Sequence, residues 1–202
     1  MKLYYAPDTC SLAVWISLEW LGANYELEKA NLGSEEYKKI NPLGSVPALE
    51  TEGGKIKTEL GAIITFLAEK YPEMNLGPDD SIEDRFLFNQ LILLISSDLH
   101  PSFGPIFAPK RYTLDTDEES LDKIRKAAYP RIDSILSYID TLLGDRDHIY
   151  KDKKTVLDAY LFILSGWAEF TPKSWTEYPN IKRFREKLLK DEKVKYVLEN
   201  QK

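Results

Sequence analysis

The spacing of apolar residues changes once along the chain, and this change limits the folds that the chain can adopt. Up to residue 71, short strand-like runs alternate with helical periods in the order β-α-β-α-β-β-α. Beyond that point only helical periods follow, at roughly 81–107, 118–143, 155–170 and 179–200. We therefore predict an α/β plus all-α fold, with a mixed domain at 1–75 and an all-helical domain at 82–202.

The charge and composition exclude several classes of function. The 202 residues carry a formal net charge of −6, so the chain has no long-range attraction for nucleic acid or an anionic membrane. The most apolar long segment, FLFNQLILLISSDLH, is too short and too polar to span a bilayer. A single cysteine cannot form an internal disulfide, and no cleavable leader is recognisable. These features predict a cytoplasmic protein that binds neither nucleic acid nor membrane, and we expect no metal.

The one cysteine, Cys10, lies where the first strand-like run gives way to a helix. The first turn of a helix carries unpaired N–H groups and a partial positive charge, which favour a thiolate. Free cysteine is also a common core residue. The residues alone leave both interpretations open, a reactive thiol and buried packing, but they exclude a dithiol site.

Two further stretches, Val46-Pro47 and Glu59-Leu60, could bind a ligand through their backbone groups and, in the second stretch, through the charge of the glutamate. A proline inside a strand-like run, as at Val46-Pro47, removes a ladder donor. A cis bond there would turn the Val46 N–H and C=O outward to pair with an extended peptide, although most X–Pro bonds are trans. Glu59 and Leu60 lie where a strand meets a helix, so that N–H groups could bind a carboxylate and the glutamate an ammonium group. Alone, Glu59 is more simply an ordinary first-turn acid.

Thr155 and Asp158 lie three residues apart at the predicted start of a helix and fit a capping box. Losing such a cap costs on the order of 1 kcal/mol. We interpret this pair as folding chemistry and not as catalysis.

In combination these stretches resemble the glutathione transferase family, and the resemblance covers the entire chain. MKLYYAPDTCSL is similar to the start of the bacterial beta class, and INPLGSVPAL resembles the family's cis-proline segment. TELGAIITFLAEKYP resembles its carboxylate-binding segment, and TVLDAYLFILSGWA the signature early in its sixth helix. The resemblance implies a thioredoxin-like βαβαββα domain followed by an all-helical domain.

The resemblance also implies which residues act in catalysis. Cys10 matches the active-site cysteine of the beta class and would face the glutathione sulfur, with the neighbouring Ser11 as the second candidate. His100 matches the beta-class histidine that approaches the site from the helical domain. A cysteine of low pKa beside glutathione could also form a mixed disulfide, so conjugation and thiol–disulfide exchange both remain open.

The glutathione-binding residues follow from the same resemblance. Val46, held by a cis Pro47, would pair with the cysteinyl backbone of glutathione, while Glu59 and the Leu60 N–H would hold its γ-glutamyl end. The second substrate would be a small hydrophobic electrophile, held by the helical domain, and the protein would be a homodimer. Four aromatic residues are candidates for this pocket, although aromatic residues at helical spacing are usually core: Phe103, Phe107, Tyr112 and Trp167.

Several positions depart from the beta-class pattern. Leu60 replaces a serine or glycine, Leu93 an asparagine found in some relatives, and Pro101 a lysine that follows the histidine. Such losses are expected if glutathione binding has decayed. The alternative function is therefore a non-catalytic protein of this fold that acts as a binding or regulatory partner.

Overall fold

Four short strands form one sheet in the first part of the chain. The computed structural model describes residues 1–202. The strands are β1 (Lys2–Tyr5), β2 (Glu26–Lys29), β3 (Ala48–Thr51) and β4 (Lys55–Lys57), arranged in the spatial order β2-β1-β3-β4. β1 runs parallel to β2 and antiparallel to β3, and β3 and β4 form a hairpin.

Helices connect these strands as the apolar pattern predicts. They are α1 (Ser11–Trp20), α2 (Glu35–Ile40) and α3 (Leu60–Lys70), followed by a short 3-10 helix at Pro72–Met74. Ser34 caps α2 by accepting a hydrogen bond from the Tyr37 N–H, as expected of an N-cap serine. The order βαβαββα is thus confirmed.

The rest of the chain is helical. Its helices are α4 (Ile82–Leu93), α5 (His100–Ser102), α6 (Gly104–Phe107), α7 (Glu118–Leu143), α8 (Val156–Gly166), α9 (Pro179–Leu188) and α10 (Glu192–Asn200). The prediction of a helix over 118–143 is confirmed by α7, which accommodates Pro130 in its interior. None of the helices is both long enough and apolar enough to cross a membrane.

Two predicted helices change their geometry along their length. In the region predicted as one helix over 81–107, α4 is followed by a π-helix at Leu94–Leu99 and then by the short helices α5 and α6. In the region predicted as one helix over 155–170, α8 ends at Gly166 and the chain continues as a 3-10 helix at Trp167–Phe170. Widened π-helical turns, such as the one at Leu94–Leu99, occur often at functional sites.

The helix predicted over 179–200 is divided into α9 and α10. Asp191 accepts hydrogen bonds from the N–H groups of Lys193 at 2.9 Å and Val194 at 3.2 Å, and so caps the start of α10. Because an aspartate at this position satisfies the free N–H groups of a new helix, the chain turns at this point instead of continuing α9.

One apolar core joins the sheet domain to the helices. Every residue of α1 except Glu19 is buried, and α8 is buried from Val156 to Ser165. A helix that is buried on all sides lies inside a protein, and α1 and α8 pack against each other. A single cluster of 47 buried residues spans both parts of the chain, and this shared core fixes the cleft between them.

Candidate active site

A cleft of about 710 Å³ lies between the sheet domain and the helices. The turn before α1 and the segment before β3 form one wall, and residues that follow α5 and α8 form the other. Its polar and charged lining residues are Asp8, Thr9, Lys38, Ser45 and Arg111; Cys10, Val46, Phe107 and Trp167 are the lining residues that the sequence singled out. Cavities of this size hold ligands of a few hundred daltons.

Cys10 lies at the start of α1 and is buried, with 8% of the residue exposed. Its Sγ donates a hydrogen bond to the Val46 carbonyl oxygen, 3.5 Å away. Burial raises the pKa of the Cys10 thiol to about 12, and the negative charge of Glu59 adds to the rise. The thiol is therefore neutral at physiological pH. Of the two interpretations that the sequence left open for Cys10, this environment favours a buried, neutral thiol over a thiolate.

The hydrogen bonding of the helix start explains this result. The N–H of Ser11 donates to the Thr9 hydroxyl, and the N–H of Leu12 donates to the Thr9 carbonyl oxygen. The N–H of Ala13 donates to the carbonyl oxygen of Cys10. Only the backbone N–H of Cys10 itself lowers the pKa of the thiol, and burial outweighs it. The N–H groups that were expected to favour a thiolate already have acceptors.

Ser11 is fully buried, and its hydroxyl belongs to the turn between β1 and α1. The Ser11 Oγ accepts from the Ala6 N–H at 3.1 Å and donates to the Ala6 carbonyl oxygen at 3.2 Å, with Thr9 Oγ1 2.6 Å away. A hydroxyl held by three groups of Ala6 and Thr9 stabilises the turn that carries Cys10. We therefore assign Ser11 a structural role in place of the catalytic one that the resemblance implied.

Val46 offers two main-chain groups to the cleft. The Val46–Pro47 peptide bond is cis, as the family resemblance implied. The Val46 N–H has no acceptor within the protein, and its carbonyl oxygen accepts only the weak bond from Cys10. Since a free N–H and C=O on one residue can pair with an extended backbone, this segment can bind a peptide by strand addition.

The N-terminus of α3 has no side-chain cap. Glu59, the residue before it, is exposed and has a φ of +67°, a conformation that non-glycine residues rarely adopt. The N–H of Leu60 has no acceptor within the protein, while the Leu60 side chain is buried. Only the backbone of Leu60 can therefore contact a ligand. A free helix N-terminus beside a carboxylate is suited to the carboxylate and ammonium groups of an α-amino acid.

His100 does not line the cleft directly but packs against Trp167, which does, with ring centroids 5.3 Å apart. Its Nδ1 lies 2.7 Å from the Tyr160 hydroxyl. Burial lowers the pKa of His100, so the imidazole is neutral at physiological pH. Burial also raises the pKa of Tyr160.

Tyr160 and Arg111 are site residues that no pattern in the sequence indicated. Tyr160 lies in a stretch that the resemblance covers, but nothing in the sequence links it to His100, 60 positions away. Arg111 lies in the cleft with Lys38, whose ammonium group is paired to Glu35 at 2.7 Å. No carboxylate lies within ion-pair distance of Arg111. A carboxylate ligand would find two cations at this end of the cleft.

The aromatic residues proposed for a second substrate divide into three groups. Phe107 and Trp167 line the cleft, with ring centroids 5.0 Å apart. Phe103 is fully buried and belongs to the core. Tyr112 is half exposed and lies outside the cleft lining, against Gly104. Two of the four therefore remain candidates for an apolar subsite.

Models of protein families match most of the chain. Residues 3–75 match "Glutathione S-transferase, N-terminal domain", and residues 102–201 match "Glutathione S-transferase, C-terminal domain". The chain is 30% identical to glutathione S-transferase GST-4.5 of Xanthomonas campestris pv. campestris, over 98% of both chains. It is 34% identical to glutathione S-transferase GstA of Escherichia coli O157:H7, over 83% of this chain and 82% of the relative.

Solved structures agree with these matches. A sphingomonad glutathione S-transferase complexed with glutathione superposes with a TM-score of 0.87 at 30% identity, covering 100% of this chain and 98% of the other. The bacterial beta class glutathione S-transferase of Sphingomonas chungbukensis superposes with a TM-score of 0.88 at 28% identity, covering 100% and 98%. On this agreement of sequence, fold and cleft geometry, the chain belongs to the glutathione S-transferase family.

Proposed function

We propose that the cleft binds glutathione and transfers its thiolate to a small hydrophobic electrophile. As a member of the family the chain is a glutathione transferase, and the relatives support an enzyme and not the non-catalytic alternative. One observation carries the proposal for this chain: the free main-chain groups of Val46 lie beside the Cys10 thiol, with the uncapped start of α3 near by.

Glutathione has three groups that these elements can hold. The Val46 N–H and C=O would pair with the backbone of its cysteinyl residue. The Leu60 N–H would bind the γ-glutamyl carboxylate, and Glu59 would bind the ammonium group beside it. At the other end of the peptide, Lys38 and Arg111 offer positive charge to the glycyl carboxylate. Every charged group of the tripeptide then has a partner: a carboxylate for the ammonium group, a helix N–H for the γ-glutamyl carboxylate and cations for the glycyl carboxylate.

Binding of the cysteinyl backbone also frees the Cys10 thiol. The Cys10 S–H now donates to the Val46 carbonyl oxygen, the acceptor that the cysteinyl N–H of glutathione would take. The displaced S–H can turn to the glutathione sulfur and donate to it. Since a neutral thiol donates a hydrogen bond and a thiolate cannot, the raised pKa of Cys10 suits stabilisation of a glutathione thiolate.

His100, which packs against the cleft residue Trp167, would act as a second donor for the same sulfur. The Tyr160 hydroxyl has no acceptor other than the His100 Nδ1, and its raised pKa keeps its proton in place. It therefore donates to Nδ1, so the proton of the neutral imidazole lies on Nε2. An Nε2–H directed at the cleft would stabilise negative charge on sulfur, with Tyr160 as a positioning residue.

The chemical step is a displacement or addition by glutathione. The thiol proton leaves to solvent, and the sulfur lone pair forms a C–S bond with the electrophilic carbon while a leaving group departs with its electron pair. Phe107 and Trp167 would hold the apolar part of the electrophile. The neutral Cys10 favours conjugation over thiol–disulfide exchange, which needs a thiolate. We place this activity in cytoplasmic detoxification.

Titration calorimetry with glutathione tests the binding mode. Wild-type protein should bind glutathione, and Glu59→Gln should weaken it about tenfold because the ammonium group loses its charged partner. Glu52→Gln, in the exposed β3–β4 turn, is the matched control and should leave the affinity unchanged. If wild-type protein shows no heat of binding at about 10 mM glutathione, the mechanism is wrong.

We also propose that the protein is a homodimer, joined through an apolar face on α3, α4 and α7. Large apolar side chains are exposed on this face: Ile82, Phe86, Leu93 and Tyr138. Grooves of about 530 Å³ between α4 and α7 and about 370 Å³ between α3 and α4 run along it. Exposed apolar patches of this extent mark interaction surfaces, and the first domain of one subunit would pack on the helices of the other.

Phe86→Asp should convert the dimer to a monomer, because a carboxylate would be buried without a partner at the centre of the face. Light scattering after size exclusion should report twice the 23.3 kDa of one chain for wild type and one chain for the variant. Leu114→Asp is the control, since Leu114 is fully exposed and lies outside the face. A wild-type protein that is monomeric at about 100 μM would contradict the proposal.

A further inference from the structure

The carbonyl oxygen of Ser45 accepts hydrogen bonds from two side chains, one on α2 and one at its C-cap. The Tyr37 hydroxyl donates to it at 2.8 Å, and the Nδ2 of Asn41 donates to it at 2.7 Å. Both donor residues are buried, whereas Ser45 itself is exposed. No backbone N–H donates to this oxygen. Two buried side chains therefore hold the main chain of an exposed residue that lies directly before Val46.

Capping of α2 does not account for these two donors. A side chain that caps the end of a helix donates to the free carbonyl oxygens of its last turn. The Asn41 amide and the Tyr37 hydroxyl donate outside the helix instead. The Asn41 Oδ1 also accepts from the Leu43 N–H at 3.2 Å, so Asn41 shapes the turn between α2 and Ser45. Both donors end on the peptide group that joins Ser45 to Val46.

The geometry of this peptide group fixes the direction of the Val46 N–H. The Ser45–Val46 bond is trans, and in a planar trans peptide the C=O and the N–H point in opposite directions. Since the Ser45 C=O points at the Tyr37 and Asn41 donors, the Val46 N–H points away from them. Ser45 and Val46 both line the cleft, and this N–H has no acceptor within the protein. It is therefore held in one direction and left free for a ligand.

We propose that Tyr37 and Asn41 are positioning residues for glutathione, which fix the Ser45–Val46 peptide group so that the Val46 N–H meets the cysteinyl carbonyl oxygen of the ligand. This inference rests on the proposed function of the cleft. Neither residue lines the cleft, so both act through Ser45. A donor that is already fixed in the direction of its acceptor loses less conformational entropy on binding, and this raises the affinity.

A neighbouring tyrosine provides a matched comparison. Tyr4 and Tyr37 are both buried in a small apolar cluster with Ala48, and their ring centroids lie 6.1 Å apart. The Tyr4 hydroxyl donates to the Glu50 carboxylate at 3.0 Å and not to Ser45. Burial raises the pKa of Tyr37 to about 12, so its hydroxyl keeps its proton and donates at physiological pH. Loss of either hydroxyl disturbs the same cluster, but only one of them holds Ser45.

Titration calorimetry with glutathione tests the proposal on three variants of the full chain. Tyr37→Phe should weaken binding about threefold, because the Ser45 carbonyl oxygen loses one of its two donors. Asn41→Asp should weaken binding about tenfold, because a carboxylate oxygen would then face that carbonyl oxygen, while the acceptor for the Leu43 N–H is retained. Tyr4→Phe is the control and should leave the affinity unchanged.

Nuclear magnetic resonance supplies a readout that a purely structural role would not move. In ¹⁵N-labelled wild-type protein, glutathione should shift the amide proton of Val46 downfield, because the N–H gains an acceptor. At saturating glutathione this shift should be smaller in Tyr37→Phe and in Asn41→Asp, and unchanged in Tyr4→Phe. If Asn41→Asp does not fold, the comparison of Tyr37→Phe with Tyr4→Phe decides.

Three results would overturn the inference, and they can be told apart. Wild-type affinity and a wild-type Val46 shift in both Tyr37→Phe and Asn41→Asp would show that the two donors position nothing. An equal loss of affinity in Tyr4→Phe would trace the effect to the cluster and not to Ser45. Either result leaves the proposed transferase activity standing, whereas wild-type protein that fails to bind glutathione would refute the proposed function as well.

Discussion

Cys10 should react with iodoacetamide about a thousandfold more slowly at pH 8 than a cysteine of an unfolded peptide, because its pKa is raised from 9.0 to about 12. Three pKa units lower the thiolate fraction at this pH by about that factor, and thiolate is the reactive form. The rate should rise with pH well beyond the range in which free cysteine has already titrated. Mass spectrometry of the alkylated protein against time measures it.

Two controls separate the pKa from simple occlusion. In guanidinium chloride Cys10 should react at the rate of a free thiol. In a Cys10→Ala background, Leu114→Cys should also react at that rate, since Leu114 is fully exposed. Rapid alkylation of folded wild type at pH 7 would contradict the neutral thiol and favour a mechanism by mixed disulfide.

The same shift has a consequence for stability. The unfolded chain releases the Cys10 proton near pH 9, while the folded chain retains it until about pH 12. Because the folded state then binds more protons, its stability is complete below pH 9 and falls as the pH rises through this interval. Replacement of Cys10 by alanine should remove this part of the alkaline destabilisation.

Asp158→Ala should lower the free energy of unfolding by about 3 kcal/mol, the largest effect on stability that we expect from a single polar residue. Asp158 is fully buried, and its two oxygens accept from different N–H groups, Thr155 at 2.7 Å and Ile149 at 3.1 Å. In the capping box predicted at Thr155 and Asp158, the carboxylate accepts from the Thr155 N–H while the Thr155 hydroxyl has no hydrogen-bond partner, and the carboxylate also fixes the chain before the helix. Alanine would leave two buried donors without acceptors.

Thermal denaturation of the variant should show a midpoint lower by about 10 °C for a chain of this size. Asp117→Ala provides the matched control, because Asp117 caps α7 with a single bond to the Ser120 N–H in an exposed position. That substitution should cost only about 1 kcal/mol. Equal losses for the two variants would show that the second hydrogen bond, to Ile149, contributes nothing.

The spacing of apolar residues is enough to predict the fold class, because the strand period of two and the helix period of 3.6 are set by residues that lie close together in the sequence. This spacing does not predict where an α-helix changes into a π-helix or a 3-10 helix. Nothing in the amino-acid sequence from Leu94 to Leu99 distinguishes a π-helix from an α-helix. The break before α10 was readable, since an aspartate followed by a glutamate is a common helix start, but the apolar pattern continues through it.

The site was predicted where the family motif fixes the backbone and missed where tertiary packing decides the chemistry. The cis bond at Val46–Pro47 and the position of Glu59 before α3 follow from their motifs. The raised pKa of Cys10 depends on burial under distant elements and on hydrogen bonds within its own turn. The contact between His100 and Tyr160 joins two helices, and no local pattern encodes such a pair.

The backbone of Glu59 places binding and thermostability in conflict at one position. A φ of +67° costs a glutamate about 1–3 kcal/mol, and glycine would adopt it without that cost. A library screened only for heat resistance would therefore accumulate glycine at position 59 and discard the carboxylate that we assign to glutathione. Directed evolution of this protein therefore needs a selection for glutathione-dependent activity at every round. Otherwise the most heat-stable variants will be those that no longer bind glutathione.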